Sequence, residues 1–159
     1  MKTWLRVFVI ILILFWSGAG FSEVTKLAPE HRKLLQKSDQ FKTIRLVKEL
    51  PKSIIALCAD GNGRIANPGE QWEPTDVILS EFLPRKRLIW ASYFQNYYLM
   101  YYESGGIAHS YHVLLAQLEE KGSNAKILWH GVGEPLSDYK AFLTAVEQNK
   151  LDDRLPYSR

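Results

Sequence analysis

Past Pro84 the chain becomes dense in aromatic and β-branched residues, a composition that suits a pleated, half-buried surface and predicts strands. Four are expected, over residues 87–94, 97–104, 107–118 and 125–131. Gln95-Asn96 and Gly105-Gly106 each separate two strand-like runs by two residues, the length and chemistry of tight hairpin turns, and Gly122-Ser123-Asn124 can close the third connection. The expected sheet is an antiparallel meander.

Before Pro84 the pattern is helical and irregular. Ala28-Pro29-Glu30 followed by Leu34 and Leu35 predicts a short helix, with proline near its first turn and an acid near its positive end. Leu50-Pro51 followed by Ile54, Ile55, Leu57 and Cys58 predicts a second, stopped by the turn chemistry of Asp60-Gly61-Asn62-Gly63. Pro68-Gly69 and Pro74 mark an irregular loop that carries Trp72. Beyond the strands, Ser137 reads as a helix cap, with Phe142, Leu143 and Val146 at helical spacing up to about Lys150. The fold class is therefore α+β: a four-stranded meander, short N-terminal helices, and a C-terminal helix packed on one face.

If both hairpins have two-residue turns, facing residues sum to 191 across the first and 211 across the second. One face then collects Trp90, Ser92, Leu99, Tyr101, Glu103, Ser110, His112 and Leu114. The other collects Ile89, Tyr93, Tyr98, Met100, Tyr102, His109, Tyr111 and Val113. Neither face is polar, so something covers both. The first, with its small residues, is assigned to the core. The second carries tyrosines, whose rings bury area while their hydroxyls tolerate water. Tyr93, Tyr98, Tyr102, His109 and Tyr111 on that face, with Trp72, are the expected binding residues; the competing expectation is that the N-terminal helices cover it as a second core layer.

The start of the chain changes the picture of charge and compartment. Lys2 and Arg6, an apolar run over residues 7–16 and the small residues Ser17, Gly18, Ala19 and Gly20 have the order of an export signal. The run is shorter than the roughly 20 apolar residues a membrane-spanning helix needs. Cleavage after Ser22 is expected, leaving a single domain over 23–159 with no membrane anchor. Losing Lys2 and Arg6 takes the 20 basic residues to 18 against 17 acidic ones, a net charge of +1. That near-neutrality removes the support for a nucleic-acid partner. The expected location is periplasmic or secreted. The lone Cys58 cannot form an internal disulfide, and its apolar setting predicts a buried thiol.

Candidate chemistry is sparse. His109 and His112 are an odd number of residues apart on an expected strand, which sends them to opposite faces and argues against a shared metal; no cofactor is expected. Glu103, Ser110 and His112 share a face in the expected register and could form a hydrolase set. Ser110 and His112 are, however, about 7 Å apart along the strand, beyond direct hydrogen bonding. No G-x-S-x-G or G-x-G-x-x-G pattern supports such an enzyme. The function expected is that of an exported, non-enzymatic binding protein, of inhibitor or immunity type, that engages a cell-envelope protein through the tyrosine-rich face or the Trp72 loop. A small exported hydrolase using Glu103, Ser110 and His112, and a small-molecule carrier, are the alternatives.

Overall fold

The computed structural model describes residues 26–77, 80–119, 124–155 and 157. The export signal expected over residues 1–22 lies outside them. The architecture is α+β, with α1 (Pro29–Leu35), β1 (Lys42–Ile44), α2 (Lys52–Cys58), β2 (Lys86–Phe94), β3 (Tyr97–Ser104), β4 (Ser110–Leu118), β5 (Ala125–Gly133) and α3 (Tyr139–Glu147). The strands form one antiparallel sheet in the order β1-β2-β3-β4-β5. The sheet has five strands rather than the four expected. β1 pairs Lys42, Thr43 and Ile44 with Tyr93, Ser92 and Ala91, and only Ile44 of the three is buried. Three residues with one apolar side chain are too short for an alternation to show.

Local chemistry accounts for the elements. Pro29 at the first turn of α1 removes a backbone N–H that would have had no partner. The cap of α3 is Asp138, not Ser137: its carboxylate accepts the Ala141 N–H at 2.8 Å. The first hairpin has the two-residue turn expected, since Phe94 pairs with Tyr97 and facing residues from Trp90 to Phe94 keep the sum of 191. Gln95 takes the left-handed conformation that this turn requires, with φ 55°.

The second hairpin departs from expectation, and the departure rearranges the molecule. Ser104 pairs with Ser110, so five residues rather than two make the turn, and facing residues sum to 214. The two glycines are used otherwise. Gly105 N–H donates to Arg85 O at 2.8 Å and Gly106 N–H to Pro74 O at 3.3 Å, which ties the turn to the loop running from Trp72 to Arg85. A Cβ at Gly105 would collide with the Glu73 carbonyl oxygen and the Pro74 backbone, so only glycine fits this contact. An odd shift from 211 to 214 turns every β4 side chain to the opposite face from the one expected.

The corrected faces hold two buried clusters. One unites Leu88, Ala91, Met100, Tyr102, Leu114 and Ala116 with Ile54, Leu57 and Cys58 of α2. The other unites Leu99, Tyr101, Val113, Leu115 and Trp129 with Leu35 of α1 and Phe142 and Val146 of α3. Bulges between Leu88 and Trp90 and between Ile127 and Trp129 insert Ile89 and Leu128. Each bulge sends two consecutive large side chains, Ile89-Trp90 and Leu128-Trp129, to the second cluster. The sheet's outer edge at β5 is interrupted at its end, where Val132 and Asp152 exchange backbone hydrogen bonds at 2.9 and 2.7 Å.

Because both clusters are buried, Leu99→Ala on one face and Leu114→Ala on the other should each cost about 2–5 kcal/mol. Urea unfolding of the two variants checks this; a loss confined to one of them would mean that the other face is open to water.

Candidate functional site

The corrected register draws polar residues into two clusters, one on each face, at the end of the sheet where β3 turns into β4. On the face of the second apolar cluster, Glu103 is only 3% exposed. Arg87 lies directly across from it on β2, and Arg87 Nε donates to Glu103 Oε1 at 2.6 Å. His109 Nε2 meets the other oxygen, Oε2, at 2.9 Å. Glu103 and His109 thus pair across the turn. The Arg87 guanidinium lies 5.1 Å from the Trp72 ring centroid, and the His109 ring lies 5.3 Å from Trp72 and 5.0 Å from Tyr111. Both carboxylate oxygens are hydrogen-bonded, so Glu103 organises its neighbours.

On the opposite face, beside α2, stands a second group. Ser110 Oγ is 2.7 Å from His112 Nε2, and His112 Nδ1 is 2.9 Å from His130 Nε2. The 7 Å spacing of alternate residues does not prevent the first bond, because the imidazole leans along the strand, stacked at 5.1 Å on Tyr102 of β3. Tyr157 packs edge-on against His130 at 4.9 Å, and its hydroxyl donates to Leu57 O. Lys86 Nζ lies 5.6 Å over the Tyr102 ring. Burial, then the charge of Lys86, hold His130 down at about 4; burial, then His130 and Lys86, do the same for His112. Both rings are therefore neutral at pH 7. Burial pushes the Cys58 thiol up to about 12, leaving it a protonated core group.

The direction of the Ser110-His112-His130 chain follows from its closed end. His130 Nδ1 is buried with no hydrogen-bond partner among the described residues. A buried N–H without an acceptor is rarer than an unused lone pair, which assigns the His130 proton to Nε2, donating to His112 Nδ1. His112 then carries its own proton on Nε2 and donates to Ser110 Oγ. A serine that accepts from histidine is not being deprotonated by it. The expected grouping of Glu103 with Ser110 and His112 on one face is not formed, since Glu103 stands on the other face from Ser110 and His112.

The six expected binding residues separate into three places. Trp72, His109 and Tyr111 come together in the Glu103 cluster. Tyr93 and Tyr98 form a stacked cross-strand pair, 5.8 Å between centroids, at the far end of β2 and β3. Tyr102 is 1% exposed within the core beside α2, and Tyr111 faces the opposite side from the other three tyrosines. Arg87 and Lys86 were not among the expected site residues. Their signal was the run Arg85-Lys86-Arg87 at the start of a strand: in a sheet covered on both sides, successive cations point to opposite interiors and each needs a partner.

No protein-family model, curated protein or solved structure matches this chain.

The histidine pair sets an acid limit on stability. With folded values near 4 against an ordinary 6.5, the unfolded chain takes up protons first as pH falls. The contribution is complete above about 6.5 and is lost on acidification toward 4. Urea midpoints measured from pH 7 to pH 4 should decline across that window, and replacing His112 and His130 together by phenylalanine should flatten that part of the decline. An unchanged slope in the double variant would remove the histidines as its cause.

Proposed function

We propose that this chain is an exported binding protein that engages a protein partner through the end of the domain built by the Trp72 loop and the β3–β4 turn. The supporting observation is the exposure of large apolar side chains there: Val77 at 60%, Phe82 at 88% and Ile107 at 95%. Single exposed apolar residues are ordinary, but three on loops tied to one another form a patch. Besides the Gly105 and Gly106 bonds, Arg64 Nη1 donates to Phe82 O at 2.8 Å and Arg85 Nη2 to Thr75 O at 3.4 Å. Trp72 and Arg87, residue types that anchor protein interfaces, meet where the loop joins the sheet. In this reading α2 and α3 cover the two faces of the sheet, so the partner meets loops and not the tyrosine face. An inhibitor or immunity-type role follows from a rigid, loop-built contact, and the proton direction at Ser110 favours binding over hydrolysis.

Small-molecule carriage has one observation in its favour. A groove of about 530 Å³ runs between β1–β2 and the start of α3, lined by Phe41, Trp90, Ser92, Tyr139 and Leu143. Trp90 Nε1 and Ser92 Oγ in its wall have no partner among the described residues.

The partner reading is tested by capture from envelope extract with the native chain and with a Phe82→Ser, Ile107→Ser variant. Exposed substitutions of this kind shift stability by about 0.5 kcal/mol or less, so the variant remains folded. A partner whose affinity falls tenfold or more in the variant is the expected result. A partner held equally by both would overturn the site, and one lost only from a Tyr93→Ser, Tyr98→Ser variant would move it to the far end of the sheet. For the groove, native mass spectrometry should find a retained small molecule that Leu143→Arg releases; an empty native protein would set that reading aside.

A further inference from the structure

We propose that Lys86, Ser104 and Ser110 form a binding site for a small oxyanion, a carboxylate or phosphate group, at the α2 side of the sheet end. The register pairs Lys86 with Ser104 and Ser104 with Ser110, so the three stand in one row across β2, β3 and β4. Directly paired residues share a face, and each step between strands is about 4.5–5.5 Å, giving a row about 10 Å long. The face is the one beside α2, because Leu88, Tyr102 and Leu114, two or four residues along the same strands, belong to the cluster that includes Ile54 and Cys58.

Two unmet donors on this row call for an acceptor. Lys86 is 8% exposed, and among the described residues its ammonium has neither a hydrogen bond nor an ion pair, only the face of Tyr102. Burial holds Lys86 below its ordinary value of 10.5, with Cys58 and Asp60 opposing the shift. Asp60 is the nearby acid, yet its carboxylate is already taken by the backbone N–H groups of Asn62, Arg64 and Arg85 at 2.9, 3.0 and 3.1 Å. The ammonium tip of a largely buried lysine, with no committed counterion, is a ready partner for an anion. Ser110 supplies the second donor. Its Oγ accepts from His112, which leaves the hydroxyl hydrogen to be given away, and no acceptor for it is present among the described residues. An oxyanion over Ser104 would take a charge-assisted hydrogen bond from Lys86 and a hydroxyl bond from Ser110. The relay from His130 through His112 would then polarise Ser110 as a donor. The site flanks the turn that carries Ile107 but uses different side chains, so the anion titration is read without reference to the partner reading.

The test is amide-resonance mapping of the native protein titrated separately with sodium phosphate and sodium acetate, against sodium chloride at matched ionic strength. Saturable shifts of the Lys86, Ser104 and Ser110 resonances with one of the two anions, at a Kd of about 1 mM or tighter, are expected, and the anion that saturates identifies the source chemistry. Lys86→Met, which keeps the length of the buried stem, and Ser110→Ala should each weaken that binding about tenfold. Shifts that are linear, equal in chloride, or centred elsewhere overturn the site. So does binding that survives either substitution unchanged. The native titration decides the matter even if Lys86→Met fails to fold.

Discussion

The close approach of Gly105 to the backbone of Glu73 and Pro74 governs where the functional groups of this protein stand. That contact draws the loop carrying Trp72 against the end of the sheet and occupies the glycines that a tight hairpin would have used. The turn must then lengthen to five residues, and the pairing of β3 with β4 moves by three. From this one displacement follow the pairing of Glu103 with His109 across the turn and the separation of Glu103 from Ser110, while the bulge at Ile89 brings Arg87 opposite Glu103 and the β4–β5 pairing brings His130 beside His112. Packing enforces the result: Val113, Leu114, Leu115 and Ala116 are all fully buried, so a slip of one residue would exchange the contents of two cores.

The two polar clusters divide the chemistry by face. Arg87, Glu103 and His109 form a charge-balanced knot near the surface, with Trp72 against it, and its members satisfy one another. The group beside α2 is different in kind. It places neutral imidazoles and a protonated thiol in the core beside an ammonium held over the Tyr102 ring, with hydrogen-bond donors directed toward Ser110. Self-satisfied networks stiffen a surface, whereas donors left without acceptors attract a ligand.

Much of the architecture was legible in the sequence. The β-branched and aromatic runs located β2, β3, β4 and β5; proline and turn residues located α1 and α2; and Gln95-Asn96 set the first hairpin. The rest was hidden for identifiable reasons. β1 has three residues and one buried side chain. The β3–β4 register depends on a contact between residues about thirty positions apart, which no local pattern encodes. Expected binding residues on β4 therefore fell on the wrong face, and Tyr102 turned out to be core. Each bulge places two neighbouring side chains on the same side, breaking the alternation on which face assignment rests. The Ser110–His112 bond is hidden because strand spacing alone leaves out the length and lean of an imidazole.

The end of β5 has a consequence for the behaviour of the chain in crowded surroundings. A nine-residue outer strand would ordinarily offer a row of free amides and carbonyls to any passing strand, including that of an identical molecule. Here the insertion at Leu128 bends that row and the bond pair between Val132 and Asp152 closes its end, so no long straight template remains. The C-terminal segment thereby closes that edge, and a molecule clipped before Asp152 would open it while also losing Tyr157 from one core and the Asp153 bond to Trp129 in the other.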